Sequence, residues 1–355
     1  MRFSEKIENF LASMSSYPLA KEYDVRTPGA INLASNESPY GPSPKVIRIL
    51  KEEAERAGSY PDPKATKLKE AIGKYLGVDP ACISVGNGSD ELMDLLCRLF
   101  LNDGEKVAIP QPSFPFYELS SRSNGGRPFF FSLPGFMWGE EILGKVKRAK
   151  VLFAGRPNNP TGTSPDEALV EKFTEVAGAV VLDEAYVEFA GNSLAKAAPE
   201  MDNLVVLRTF SKAFGLAGLR VGYAVSNRKI AEAIERIRAP FNVNRMAQAA
   251  ALAALQDLKF VKGVVEKVRR GREFLRRELE KLGLNVIPSQ ANFLMVEVKP
   301  WGITAPELCE RLARKKIYIR DLSGFRGAGK DYVRISVGKD EENARLISEL
   351  KKLRG

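Results

Sequence analysis

Residues 204–225 read LVVLRTFSKAFGLAGLRVGYAV. The stretch opens on one short apolar run, Leu204 to Leu207, and closes on another, Val221 to Val225, each of a length suited to a buried strand. Between them, TFSKAFGLAGLRVG (209–222) sets Lys212 after Ser211 and ahead of the small residues Ala213, Gly215, Ala217 and Gly218. Small residues let a bulky ligand lie close to the backbone. A lysine does chemistry only where something lowers its pKa or condenses with it. Ser211 and Arg220 are donors that a phosphate would take. Taken alone, a lysine in a glycine-containing loop is most simply a solvated side chain, so its meaning depends on its surroundings.

Outward from this stretch, strand, turn and helix alternate. Ile83–Val85, Lys106–Ile109, Pro128–Phe131, Val151–Ala154 and Ala179–Leu182 read as further short apolar strands. Helical spacing falls between several of them, as in Leu92, Met93, Leu95, Leu96, Leu99 and Phe100, and a helix is expected over Pro115–Ser121. This rhythm predicts an α/β domain with a mainly parallel sheet. Upstream, Ile31–Ala34 reads as a strand, Pro44–Ala57 and Thr66–Leu76 as helices, and Ser59–Pro63 as an extended loop stiffened by two prolines. Downstream, helices are expected over Asn227–Arg238, Met246–Gln256 and Val261–Lys281. A strand at Asn292–Val298, a helix at Ala305–Arg314, a strand pair (Ile317–Arg320, Tyr332–Val337) and a closing helix (Glu341–Leu353) follow. At 355 residues the chain exceeds one comfortable core. The expected division is an N-terminal arm (1–30), a large α/β domain (31–240) and a smaller α+β domain (241–355) that packs with the arm. The long helix 261–281 is the candidate link.

Composition narrows the chemistry. There is no histidine, which removes Ser-His and Cys-His nucleophile systems and most catalytic zinc sites. Any proton shuttle near neutral pH must then be a shifted lysine, carboxylate, cysteine or tyrosine. The three cysteines, Cys82, Cys97 and Cys309, form no CxxC pair, so neither a metal knot nor a disulfide framework is suggested. No apolar run reaches the length of a membrane span. The first residues, with Glu5 and Glu8, resemble neither a secretory signal nor an acid-poor transit peptide, and a cytoplasmic protein is expected. The net charge is +10, but basic residues are spread among acids, as in Lys51-Glu52-Glu53. Solvated helix faces explain that better than a nucleic-acid surface.

Five segments are placed to carry chemistry. Gly86-Asn87-Gly88-Ser89-Asp90 lies between strand and helix, where backbone N–H groups make an anion site. The dinucleotide fingerprint fails there because Glu91 stands where a third glycine is needed. Arg156-Pro157-Asn158-Asn159-Pro160-Thr161-Gly162 is a stiff loop carrying asparagines. Asp183 opens DEAY just past a buried strand, where α/β sheets bind ligands, and a buried acid there wants a cation. Gly324-Phe325-Arg326-Gly327-Ala328-Gly329-Lys330 mimics a phosphate-binding loop but continues to Asp331 and a strand, so it reads as a glycine-rich hairpin loop. Arg320 and Arg334, on neighbouring short strands, have the forked geometry that grips carboxylate or phosphate.

Read together and in order, YPDP, GNGSDE, NNPTG, DEAY, TFSKAFGLAGLRVG and PFNVN identify a resemblance. The chain is similar to the fold-type-I pyridoxal-phosphate enzymes, most closely the histidinol-phosphate aminotransferase family, from LASNESPYGP to VRISVGKDEEN. The resemblance implies a large cofactor-binding domain with a mainly parallel seven-stranded sheet and a smaller α+β domain. It implies that Lys212 bonds to pyridoxal 5'-phosphate and then serves as the base, with Asp183 facing the pyridine nitrogen. Tyr186 and Asn159 would hydrogen-bond the ring oxygen. Ser211, Arg220 and the backbone of Gly88, Ser89 and Asp90 would hold the phosphate, helped by Tyr60 from a neighbouring subunit of a homodimer. Phe114 would stack on the ring; many relatives have tyrosine there, so a hydroxyl is lost. Arg334 would grip the substrate carboxylate, and Tyr17, Asn36 and Arg320 are candidates for the substrate's far end. The expected reaction moves an amino group from L-histidinol phosphate to a 2-oxo acid, 2-oxoglutarate. An aromatic or broad-specificity aminotransferase, a threonine-phosphate decarboxylase, and an idle ligand-sensing domain are the alternatives.

Overall fold

The computed structural model describes residues 3, 7, 8, 11, 12 and 27–354. In chain order its strands are β1 (Ile31–Leu33), β2 (Ile83–Gly86), β3 (Lys106–Gln111), β4 (Arg127–Ser132), β5 (Val151–Gly155), β6 (Ala179–Asp183), β7 (Leu204–Thr209), β8 (Gly222–Val225), β9 (Asn285–Val286), β10 (Phe293–Glu297), β11 (Ile317–Asp321) and β12 (Tyr332–Ser336). They form a seven-stranded sheet, β2-β8-β7-β6-β5-β3-β4, and a five-stranded sheet, β1-β11-β12-β10-β9.

In the large sheet, β4, β3, β5, β6 and β7 run parallel, and β8 is antiparallel to both β2 and β7. Every residue of β5, β6 and β7 is buried. Helices cover both faces, which is why these strands read as continuous apolar runs and not as alternating ones. One face packs Leu92 and Leu96 of the helix Gly88–Phe100 and Ile234 of the helix Arg228–Ile237 on Phe153, Val181 and Leu207. The other belongs to the main core with Val46, Leu68 and Ala250. The helices start where side chains take up unsatisfied backbone N–H groups: Asn227 accepts from Ile230 N and Asn244 from Ala247 N, each at the N-cap.

The strand register sets the chemistry. Asp183 is the last residue of β6, opposite Gly155 of β5 and Leu207 of β7. β7 ends at Thr209, so Lys212 leaves the sheet at the same edge. This carboxyl edge is where parallel sheets leave a crevice.

The five-stranded sheet carries a correction. The strand expected at 31–34 lies outside the large sheet and pairs in parallel with β11, Ile31 opposite Ile317 and Leu33 opposite Ile319. Ile31 and Leu33 are buried and Asn32 only partly so. A strand of three residues with one apolar face needs an open edge, and β11 supplies it. The antiparallel pair β11–β12 sets Arg320 directly opposite Arg334, and Gly324–Lys330 is the loop that joins the two strands. The helix Leu258–Lys281 begins earlier than its apolar spacing suggests. Among the described residues no helix is long and apolar enough to cross a membrane, and no cluster of metal-binding side chains forms.

Candidate active site

A cavity of about 440 Å³ opens at the carboxyl edge of β5, β6 and β7, with the segment that follows β1 and residues of β11 and β12 on its far side. Lys212 and Asp183 both line it. The Lys212 ammonium is pulled down to about 8, chiefly by burial and then by the nearby Arg334 guanidinium. Its Nζ lies 3.5 Å from the Ser35 carbonyl and 5.6 Å from the centre of the Tyr186 ring.

Asp183 is buried, and burial lifts its carboxyl to about 6. Two hydrogen bonds oppose that rise: the Tyr117 hydroxyl donates to Oδ2 at 2.7 Å, and the Ala185 N–H donates to Oδ1 at 3.0 Å. No described lysine or arginine forms a salt bridge with it. Tyr117 is itself buried, stacks on Phe153 at 4.8 Å and meets Phe114 edge-on at 5.6 Å, and its phenol is held far above its ordinary range by burial. The sequence reading did not single out Tyr117. On the helix Phe116–Ser123 it looks like one more core aromatic.

Tyr186 is buried, with its phenol pushed up to about 12 by burial, so it holds its proton at neutral pH. Asn36 Nδ2 donates to its hydroxyl at 3.1 Å. Asn36 is fixed in turn by the five-stranded sheet: its N–H donates to Ser336 Oγ at 2.9 Å, and the Ser336 hydroxyl donates to its Oδ1 at 2.8 Å. Arg334 joins the two sheets as well, donating to Asn159 Oδ1 at 2.5 Å and to the Ala34 carbonyl at 2.6 Å. Arg320 lies across from it on the same wall, with its guanidinium 5.4 Å from the centre of the Phe325 ring. Two cations set opposite each other on neighbouring strands repel, and an anion between them would offset that repulsion.

The other end of the cavity gathers anion donors. Ser89 and Asp90 begin the helix Gly88–Phe100, and Ser211 and Arg220 come from the loop after β7. Arg220 donates to Asp90 Oδ2 at 2.9 Å and reaches Ser211 Oγ at 3.5 Å. Gly88 has φ +79°, and a Cβ there would stand 2.6 Å from Arg220 Nη2, so only glycine lets the arginine lie on this turn. Burial raises the Asp90 carboxyl, against the pull of Arg220 and Lys212.

The structure thus brings Ser89, Asp90, Phe114, Asn159, Asp183, Tyr186, Ser211, Lys212, Arg220, Asn36, Arg320 and Arg334 to one cavity, with Gly88 against Arg220. Tyr60 does not line it. It is 77% exposed, its ring stacks on Phe241 at 4.6 Å, and Arg245 holds its carbonyl at 2.6 Å. Tyr17 lies outside the described residues. Besides Tyr117, which reaches Asp183 from behind, sequence reasoning gave no role to Glu37 and Phe325, which line the cavity; both sit in segments singled out above, but for other residues.

Residues 28–350 match the family described as aminotransferase class I and II. A curated relative from Methanosarcina mazei, a histidinol-phosphate aminotransferase, is 40% identical over 350 residues, 96% of this chain and 93% of that protein. The crystal structure of histidinol-phosphate aminotransferase from Sinorhizobium meliloti, in complex with pyridoxal-5'-phosphate, superposes with a TM-score of 0.80 at 29% identity, covering 90% of this chain and 91% of that one. L-threonine-O-3-phosphate decarboxylase from Porphyromonas gingivalis also superposes at 0.80, with 26% identity and 91% and 99% coverage.

Proposed function

The chain belongs to the aminotransferase class I and II family, and from that premise we propose that it transfers the amino group of L-histidinol phosphate to 2-oxoglutarate, giving imidazole acetol phosphate and L-glutamate. The observation that carries the substrate is the facing pair Arg320 and Arg334 on one wall of the Lys212 cavity. Each half-reaction brings a different anion, a phosphate or a carboxylate, and a forked pair of guanidinium groups accommodates either.

The residues present fit pyridoxal 5'-phosphate. A buried carboxylate without a salt-bridge partner faces the cavity, an amine of lowered pKa stands near it, and a glycine-lined arginine and a helix N-terminus offer an anion seat. When bound, the cofactor supplies a carbonyl carbon that takes up the amine and a ring that absorbs the electron pair left at the substrate α-carbon. Lys212 would hold the cofactor and, once free of it, its Nζ would take the proton from the substrate α-carbon and hold it for return. Asp183 would support a positive charge on the ring through its carboxylate, which the Tyr117 donor helps keep charged. Tyr186 has its hydroxyl turned by Asn36 so that its own proton can go to a ring oxygen. Asn159 has its carbonyl taken by Arg334, which leaves its amide N–H₂ to donate to the same atom. Ser211, Arg220 and the backbone of Gly88, Ser89 and Asp90 would hold the cofactor phosphate, and Phe114 would offer its ring to the cofactor.

Tyr60, which lies outside its own chain's cavity, is assigned to the neighbouring subunit's site in a homodimer. A fully active monomer in sedimentation would overturn that assignment. No disulfide links the cysteines, which suits the reducing cytoplasm that completes the proposal.

The test compares histidinol phosphate with phenylalanine, tyrosine and threonine phosphate as donors under identical conditions. Histidinol phosphate should have the highest kcat/KM, with one glutamate formed per turnover. Release of carbon dioxide from threonine phosphate without glutamate formation would favour the decarboxylase, and equal rates with phenylalanine would favour a broad-specificity enzyme.

A further inference from the structure

The glycine-rich loop between β11 and β12 has no part in the chemistry above, yet it crosses from one sheet layer to the other. Phe325 is buried against the cavity beneath Arg320. The next residue, Arg326, turns the opposite way and reaches Glu118, on the helix Phe116–Ser123 of the large-sheet layer. The contact is a fork: Arg326 Nη2 donates to Glu118 Oε1 at 3.1 Å, and Nε donates to Oε2 at 3.3 Å. The same guanidinium stands 4.2 Å from the centre of the Phe130 ring on β4. Glu118 is only 13% exposed and is oriented by Arg122 at 2.9 Å. Beside the fork, Gly327 has φ +83° and lies so near β3 that a Cβ would come 3.0 Å from the Gln111 side chain. Loop and large-sheet layer therefore meet along a fitted seam.

We propose that Arg326 and Glu118 are positioning residues for the Arg320–Arg334 wall of the site, where the substrate anion is received. Their fork anchors the loop, the anchored loop seats Phe325, and Phe325 supports the Arg320 guanidinium from below. This deepens the reading given under the proposed function and rests on it. Neither residue lines the cavity, so neither touches substrate or cofactor. A single exposed ion pair would contribute little. A bidentate fork with one partner mostly buried, reinforced by a ring under the cation, contributes more.

The experiment uses the holoenzyme and the variants Arg326→Gln, Glu118→Gln and the double variant, with Arg326→Lys as the conservative control. The first readout is the dissociation constant of propyl phosphate, measured by calorimetry. It should weaken about tenfold in either single variant, as expected for loss of a charge-assisted fork. The double variant should be no weaker than either single one, because both remove one shared interaction. KM for histidinol phosphate should rise in parallel, with kcat moving less than about twofold. Arg326→Lys should recover part of the loss, since it keeps the charge and loses the fork. The visible band of the bound cofactor and the melting temperature should match wild type, which separates this effect from misfolding. Unchanged propyl phosphate binding, or effects of the single variants that add in the double, would overturn the proposal while leaving the substrate assignment standing. Failure of wild type to bind propyl phosphate would overturn both.

Discussion

At the scale of single residues, the site turns on who shares a proton with whom. Asp183 would rise further without Tyr117, because the phenol donates to the charged carboxylate. Tyr117→Phe keeps the stacking on Phe153 and removes only that donor. In the cofactor-free protein the carboxyl should then titrate above about 6, so the acid limb of the pH profile of pyridoxal phosphate binding should move to higher pH, and cofactor affinity near neutral pH should fall about tenfold for a lost charge-assisted bond. An unshifted acid limb would show that Tyr117 only packs. Lys212 gives a prediction of its own. The free amine titrates at about 8 and only its neutral form condenses with an aldehyde. Reloading of cofactor-free protein with pyridoxal phosphate, followed by absorbance, should therefore quicken as pH rises from 6 and level off above about 8. Lys212, Asp183 and Arg220 were legible in the sequence because each sits in a segment with a distinctive order of residues. Tyr117 was not, since a tyrosine among Phe114, Phe116 and a helix of ordinary spacing has the pattern of core.

At the scale of elements, two buried ion pairs brace the strand ends behind the cavity. Arg156, just past β5, donates to Glu184, just past β6, at 3.3 Å, and their side chains are 2% and 0% exposed. Glu184 also accepts from Leu194 N at 2.8 Å and from the Ser193 hydroxyl. Arg208 on β7 pairs with buried Glu188 in the same layer. Removing one member of a buried pair strands the other charge, so Glu184→Ala should cost about 3–5 kcal/mol of stability. The urea midpoint of the holoenzyme should drop accordingly, while turnover per folded molecule is retained because neither residue lines the cavity. The strands themselves were plain in the sequence from their apolar runs. The sheet that β1 joins was not. Three residues with one apolar face suit any open edge, and the partner that settles the matter, β11, lies near the other end of the chain.

At the scale of the molecule, the cavity is a seam between two sheets and is complete only when both are in place. Asn36, which orients Tyr186, is itself oriented by Ser336, 300 residues away in sequence. Contacts of such separation form late, because loop closure must precede them. Refolding in the presence of pyridoxal phosphate should recover far-UV circular dichroism before the visible band of the bound cofactor. Simultaneous recovery would mean that the large sheet alone holds the ligand.

The Asn36–Ser336 clasp has a consequence for synthesis. A ribosome that stalls before β12 has already made the lysine, the aspartate and the phosphate seat, but the nascent polypeptide still lacks the hydroxyl that sets Asn36. Tyr186 in such a chain would miss the donor that turns its hydroxyl, so the contact to the ring oxygen is the last part of the site to be finished.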